Sequence, residues 1–402
     1  MRCRVGRSAF VLGSAALLTL GTGACGGPPD VPRVSSNKLA IGSQVEIDRD
    51  GVVAEVVDGA EPVNPAGDGK AVCPPLSIAM AGGPVGSEPV LGIDIKNGIQ
   101  LAVDQHNAAN LACQVQLKPF DTDGDPSKGA ALAAEIVDDA YTVGVVGPMS
   151  SGEALTAGAV FDRAGLVAAT PSASDAALSG RGWRTFFRGI ASNEFQGSAI
   201  AGYMSRTLGY RKVCVVDDSS DHGLGLASSV RETLGPVSDS ACNIAIGTDG
   251  TDYSVVDQIT AAVPDAVFFA GYGREAASLV RQLREGGFDG AFVTMDGSMT
   301  EEFVDKAGSA ARDALLSCPC APAPPEFAEE YKRTFDQLPG PYAVEAYDLG
   351  TILLKGIDSG AITRAALLDF VGTYDGQGIA RRYQWVADGE LANPSIWIYQ
   401  VQ

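Results

Sequence analysis

Leu76-Ser77-Ile78-Ala79-Met80-Ala81 runs into Gly82-Gly83-Pro84, and Ile95–Asn107 then places Ile95, Ile99, Ala102, Val103 and His106 on one helical face. A short unbroken apolar run reads as a strand buried on both sides, because a half-exposed strand would alternate apolar with polar residues. The helical spacing after it is that of a crossover helix. The unit recurs. Further apolar runs stand at Val115–Phe120, Thr142–Gly147, Leu166–Thr170, Lys212–Val216, Ala266–Gly271 and Ala291–Met295, and Lys128–Asp139 gathers Leu132, Ile136 and Val137 on one face. Strands alternating with helices predict parallel sheets covered on both faces. The number of runs exceeds what one open sheet usually carries. The chain is therefore expected to be α/β, with two doubly wound Rossmann-like lobes of about equal size, the second starting near residue 191. Beyond about residue 326, helical spacing covers Glu326–Gln337 and Tyr342–Asp358, and Arg382–Val386 and Ser395–Val401 alternate like strands.

The chain has 402 residues, 46% of them hydrophobic and 19% charged, an ordinary globular composition. Its 29 Lys and Arg against 49 Asp and Glu give a net charge of −20. So acidic a chain offers no electrostatic footprint for phosphate backbones and repels anionic lipid headgroups. Neither nucleic acid nor charge-driven membrane binding is expected. There are only two histidines, His106 and His222, so a three-histidine metal site is excluded, and neither metal nor cofactor is expected.

Arg2, Arg4 and Arg7 precede the apolar run Ala9–Leu20, which is too short for a membrane span of about 20 residues and suits a signal peptide. Small residues Thr22-Gly23-Ala24 then lead to Cys25. The string Leu20–Cys25 resembles a bacterial lipobox, with Thr22 in a place usually held by an aliphatic residue. That resemblance implies cleavage after residue 24 and acylation of Cys25. Residues 25–71, rich in Pro, Gly, Asp and Val, read as a tether with at most a short hairpin. With Cys3 removed in the signal and Cys25 acylated, Cys73, Cys113, Cys214, Cys242, Cys318 and Cys320 remain. An even number in an exported chain points to disulfides. Cys73 and Cys113 each stand just before a strand, as do Cys214 and Cys242, and neighbouring parallel strands bring such positions close. The favoured pairs are Cys73–Cys113 and Cys214–Cys242. Cys318-Pro319-Cys320 is either a tight local bridge or two free thiols. No CxxC pairs support a zinc site.

In open α/β sheets, ligands bind beyond the carboxyl ends of the strands. Those ends carry Gly82-Gly83, Ser150 and Ser151, Ser172 and Ser174, Asp217, Asp218 and His222, Tyr272, and Asp296. Hydroxyls and helix N-terminal amides suit a carboxylate. Tyr272 and Asp296 suit an ammonium, through cation–π contact and charge. Together they describe a zwitterion. Each also has a structural reading: the serines as helix N-caps, Asp296 as a cap or turn residue, Tyr272 as a rim aromatic, His222 as an exposed loop residue. Their joint placement at strand ends favours the binding reading.

From about Leu76 to Val401 the chain resembles the type I periplasmic binding proteins of branched-chain amino acid ABC transporters. Gly147-Pro148-Met149-Ser150-Ser151 and Thr170-Pro171-Ser172-Ala173-Ser174 are similar to the family's two first-lobe ligand loops. Asp121–Pro126 is similar to the acidic loop after the second strand. Phe187-Arg188 with Gln196-Gly197 resembles the crossing into the second lobe. Asp221–Ala227, Gly271-Tyr272 and Asp296-Gly297 match the second-lobe loops. The resemblance implies that Ser151, Ser172 and Ser174 hold a ligand carboxylate and that Tyr272 and Asp296 hold its ammonium. His222 falls where the family usually places an aromatic that lines the side-chain pocket. Asp296 stands where Glu is frequent, a family Tyr has its counterpart near Leu91, and Ser150 occupies a position of a common first-lobe disulfide. The implied organisation puts lobe 1 at residues 72–190 and 318–392 and lobe 2 at 191–317 and 393–402. The chain then crosses a three-strand hinge near 190, 318 and 393. The implied function is capture of an amino acid by a monomeric, lipid-anchored extracytoplasmic protein that catalyses no reaction and docks on an ABC permease.

Two other readings have sequence support. The same fold could bind an amide, a urea or an aromatic acid, as sensor or transporter component. Gly271-Tyr272-Gly273-Arg274-Glu275-Ala276, with Asp289 or Asp296 following, fits a dinucleotide fingerprint and hence an NAD-dependent enzyme, although it lies away from the first βα turn. No G-x-S-x-G elbow, P-loop or H-E-x-x-H is present.

Overall fold

Residues 39–54, 61–83, 89–246 and 253–402 are described by the structure, a computed structural model. The expected signal segment and Cys25 lie outside the described residues, and so does Leu91 as a side chain. The first half of the chain forms β1 (Ile41–Ile47), β2 (Leu76–Ala81), α1 (Pro89–Ala109), β3 (Val115–Phe120), α2 (Gly129–Asp138), β4 (Thr142–Val146), α3 (Ser151–Ala164), β5 (Val167–Thr170) and β6 (Phe186–Arg188). Next come α4 (Asn193–Gly202), β7 (Val213–Asp217), α5 (Asp221–Leu234), β8 (Ile244–Ala245), α6 (Tyr253–Ala262), β9 (Ala266–Ala270), α7 (Gly273–Glu285), β10 (Ala291–Met295) and α8 (Glu301–Ala307). The last part is β11 (Leu315–Cys318), α9 (Pro325–Phe335), α10 (Ala343–Asp358), α11 (Arg364–Gly372), β12 (Asp375–Gln377), β13 (Arg382–Gln384) and β14 (Ile396–Val401).

Two large sheets result. One runs β3-β2-β4-β5-β6, parallel throughout. The other runs β1-β14-β11-β10-β9-β7-β8, parallel from β11 to β8 and closed by antiparallel β14 and β1. The period-2 geometry of a strand explains why both faces are apolar. Ile78 and Met80 of β2 pack with Ile95 and Ile99 of α1 and with Leu353 of α10. Their neighbours Ala79 and Ala81 pack the opposite way, with Leu132 and Ile136 of α2 and Phe161 of α3. Likewise Val213 and Val215 of β7 face α4 and α5, whereas Cys214 and Val216 share the cluster of α7. Each sheet is thus a doubly wound layer with helices on both sides.

The chain passes between the sheets between β1 and β2, after β6, after β11 and before β14. Disulfides join Cys73 to Cys113, Cys214 to Cys242 and Cys318 to Cys320, with Cα separations of 4.6, 5.2 and 5.0 Å. The first two link the beginnings of neighbouring strands. The third lies at the crossing after β11. His106 is fully buried in α1, and its Nε2 meets Asp358 Oδ1 at 2.8 Å, so it is a partnered core histidine.

The tether expectation is corrected for part of its length. Ile41–Ile47 pairs with Ile396–Val401 as an edge strand, with a bulge between Ser43 and Val45. Its exposure is mixed and only Ile47 is fully buried, so it carries no clear strand period. Residues 61–71 are bonded to the first lobe: Val63 N donates to Gln377 O at 2.8 Å, and Asn110 Nδ2 donates to Ala66 O at 3.0 Å. Among the described residues no helix is long and apolar enough to cross a membrane.

Candidate ligand-binding site

The strand order of the first sheet reverses between β2 and β4, and that of the second between β7 and β9. At such switch points the outgoing loops diverge and leave a crevice. Gly147 opens the loop after β4 at φ +122°, and a Cβ there would lie 2.3 Å from Ala81 O. Only glycine lets this loop turn so closely over β2.

Ser150 caps α3 in a capping box. Its Oγ accepts from Glu153 N at 3.2 Å, while Glu153 Oε2 accepts from Ser150 N at 2.9 Å. The capping reading is therefore correct for Ser150. Ser151, one residue on, turns its Oγ toward the second loop and accepts from Ser174 N at 3.2 Å and Asp175 N at 3.0 Å. Ser172 Oγ donates to Met149 O at 2.7 Å, so its proton is committed to the neighbouring loop. Ser174 is 3% exposed, and its carbonyl accepts from Asn193 N at 2.8 Å. Arg188, fully buried on β6, supports this wall from behind. Its NH1 donates to Ala173 O at 2.6 Å, its NH2 to Asp175 O at 2.9 Å, and the same NH2 meets Glu390 Oε1 at 2.8 Å.

The second wall is charged. Asp218, 2% exposed, accepts from Ser220 Oγ at 2.6 Å and from Tyr272 N at 3.2 Å. It thereby joins the loop after β7 to the loop after β9. Asp296 opens the turn after β10 with its side chain 8% exposed. Its Oδ1 accepts from Gln196 Nε2 at 2.9 Å, and its Oδ2 from Tyr342 Oη at 2.7 Å. His222 Nε2 faces the same Oδ2 at 3.7 Å, an ion-pair distance too long for a hydrogen bond. The His222 and Tyr272 rings lie 6.2 Å apart, and Asn193 Nδ2 meets His222 Nδ1 at 3.3 Å.

Burial would raise the Asp296 carboxyl, but the facing His222 and the bonds from Tyr342 and Gln196 hold it below its ordinary value. Burial would lower His222. The carboxylate of Asp296, with Asp218 and Asp175 behind it, raises it instead. Tyr342 is pushed well above the usual phenol range by burial and by the Asp296 charge.

A track of polar contacts therefore runs from one wall to the other: Ser151 to Ser174, Ser174 to Asn193, Asn193 to His222, His222 to Asp296. The residues singled out from sequence lie on this track or directly beside it. Asn193, Gln196 and Tyr342 were missed as site residues. Asn193 and Gln196 belong to the first turn of α4, where a polar residue reads as an ordinary helix start. Tyr342 caps α10 at φ +66°, a backbone conformation uncommon for a tyrosine and invisible in side-chain periodicity.

Residues 75–402 match the periplasmic binding protein family. The chain belongs to that family. Among curated relatives of this periplasmic binding protein, the Leu/Ile/Val-binding protein BraC3 of Rhizobium johnstonii is 29% identical over 340 residues, covering 80% of this chain and 90% of its own length. The leucine-, isoleucine-, valine-, threonine- and alanine-binding protein of Pseudomonas aeruginosa is 26% identical over 294 residues, 70% of this chain and 78% of that one. Among solved structures, the isoleucine complex of the branched-chain amino acid transporter substrate-binding protein LivJ from Streptococcus pneumoniae superposes with a TM-score of 0.72 at 25% identity. It covers 82% of this chain and 99% of that one. The two lobes are thus the type I periplasmic binding protein fold, and members of this family are substrate-binding proteins of ABC transporters. The glycines of the dinucleotide-like string have packing duties here: a Cβ on Gly271 would meet Asp218 Oδ2 at 2.7 Å, and one on Gly273 would meet Thr300 Oγ1 at 2.7 Å.

Proposed function

We propose that this chain is an extracytoplasmic solute-binding protein that captures a branched-chain or similar amino acid in the cleft and delivers it to an ABC permease. The observation that carries this reading is the polarity of the cleft. Ser151, at the start of α3, and Ser174 lie on one wall, and the carboxylate of Asp296 lies on the other with His222 and the Tyr272 ring. A zwitterion meets both at once. Because it contacts both lobes, it favours the closed arrangement, and a permease reads that arrangement. Ser151 and Ser174 receive the carboxylate, Asp296 and Tyr272 receive the ammonium, and His222 borders the side chain. Ser172 shapes the loop, since its proton is already donated to Met149 O. The reading assigns the chain no chemical reaction. Acylated Cys25 would hold the protein at the outer face of the membrane.

Calorimetric titration with the proteinogenic amino acids tests this. Leucine, isoleucine or valine should bind, and Asp296→Asn should cost at least tenfold in affinity, as expected for a charge-assisted bond of about 1.5–3 kcal/mol. A folded protein that binds none of them but takes up an amide, a urea or an aromatic acid would overturn the amino-acid assignment.

A further inference from the structure

Asp296, the acceptor for an ammonium in the reading above, already has a cationic neighbour of its own. His222 Nε2 faces its Oδ2 at 3.7 Å, with the two side chains only 19% and 8% exposed. The other ring nitrogen is also served. Asn193 Nδ2 lies 3.3 Å from Nδ1, and Asn193 Oδ1 is buried without a partner. With Nδ2 toward the ring, the amide donates to a bare Nδ1, and the ring keeps its proton on Nε2, toward Asp296. Turned over, the same amide would offer Oδ1 to a protonated Nδ1. Asn193 can therefore support either protonation state of His222.

We propose that His222 is a specificity-determining residue: its imidazolium occupies Asp296 and competes with a ligand's ammonium, so that an amino acid binds by releasing a proton from His222. This rests on Asp296 being the ammonium acceptor. The balance is simple. The ligand keeps its ammonium protons, Asp296 remains a carboxylate throughout, and the imidazolium proton leaves to solvent.

The groups facing the ring set its charge. Asp296 from the turn after β10, Asp218 from the loop after β7 and Asp175 from the first lobe favour the cation, and their sum overcomes burial. The N-terminus of α5, on which His222 is the second residue, opposes it. Tyr272 offers an aromatic ring, and the Tyr342 hydroxyl shares Asp296 Oδ2. An arriving ammonium adds a positive charge beside Asp296 and tips the balance toward neutral His222. The consequence is a selection rule between chemical classes. A simple carboxylic acid without an ammonium leaves the His222–Asp296 pair intact, while an amino acid must break it. The ratio of amino-acid to carboxylic-acid affinity therefore rises with pH.

The test compares leucine with 4-methylpentanoate, its analogue without the amino group. Titrations of the full chain from acid to mildly alkaline pH are repeated in buffers of different ionisation enthalpy. In the range where His222 is protonated, wild-type leucine affinity should rise by up to about tenfold per pH unit, with up to about one proton released per leucine bound. Bound 4-methylpentanoate should release none. His222→Phe and His222→Gln should both flatten the leucine profile, whatever their absolute affinity. A wild type that binds leucine without proton release, while Asp296→Asn still abolishes binding, overturns the inference and leaves the ammonium reading standing. Leucine binding untouched by Asp296→Asn, or absent at every pH, overturns that reading and the inference with it.

Discussion

The two walls of the cleft are built from different material. On the first-lobe wall, the hydroxyls are satisfied within the wall: Ser150 with Glu153, Ser151 with two backbone amides, Ser172 with Met149 O. Its buried cation, Arg188, lies behind the loops and is matched by Glu390 and two carbonyls. The second-lobe wall gathers Asp218, His222 and Asp296, and it leaves Asn193 Oδ1 and Gln196 Oε1 buried without donors. A network whose hydroxyls already have partners is rigid before ligand arrives. A charged network with unused acceptors has something to gain from a ligand's N–H groups. On the proposed reading, the first wall positions a ligand and the second recognises its charge.

The largest expected effect breaks the first wall. Arg188→Met removes a fully buried guanidinium that ties Ala173 O and Asp175 O to Glu390. Removing one partner of a buried pair costs about 3–5 kcal/mol, and Glu390, 24% exposed, can rehydrate, which places this case near 3. Urea unfolding should show the midpoint falling with an unchanged slope. A variant as stable as wild type would mean that the loops hold themselves.

Next comes the second wall. Gln196→Leu strips Asp296 Oδ1 and Ser317 O of the same donor, Nε2, at 2.9 and 3.0 Å. Leaving such acceptors buried should cost about 2 kcal/mol in stability and roughly tenfold in amino-acid affinity. Affinity and stability should fall together here. In Arg188→Met, stability should fall further than affinity, and that divergence is what a titration beside an unfolding curve would read.

The difference between the walls also explains what the sequence could reveal. Strands such as Leu76–Ala81 and Ala291–Met295 were legible to the residue, because a strand buried on both faces is apolar at nearly every position, with Ser77 and Thr294 the exceptions. The position of Ser151, Tyr272 and Asp296 just after strands was legible from the alternation of strands and helices. Ile41–Ile47 was not, because an edge strand with a bulge and mixed exposure has no strict alternation. Gln196 and Tyr342 were not, because they reach Asp296 from helix starts on other parts of the chain, and no local pattern records a contact 100 or 46 residues away. Ser151 and Ser172 look equivalent in sequence, yet one hydroxyl accepts from two amides and the other donates to a carbonyl.

A smaller effect appears as a pH window. Asp296 is lowered from 3.8, so its contribution to stability is present above that value and lost as pH falls through the depressed one. His222 is raised from 6.5, so its contribution is present below that value and lost as pH rises through the elevated one. The pair therefore stabilises the fold most between about pH 4 and 6.5. The melting-temperature gap between wild type and His222→Phe should peak inside that window and narrow on both sides. A gap that stays constant with pH would mean that the ring packs and does not pair.

The smallest effect discriminates between two serines on the first wall. Ser172 Oγ donates to Met149 O at 2.7 Å and so has no proton left for a ligand carboxylate. Ser151 Oγ already accepts from Ser174 N and Asp175 N, and a hydroxyl that accepts still has its proton to give. Ser172→Ala should therefore remove one loop hydrogen bond, about 1 kcal/mol of stability, and change leucine affinity by no more than about twofold. Ser151→Ala removes a ligand donor together with the acceptor that aligns two amides, and affinity should fall about fivefold. Equal losses in the two variants would show that the hydroxyls act only through the shape of the loops, and the first wall would then bind the carboxylate through its backbone amides alone.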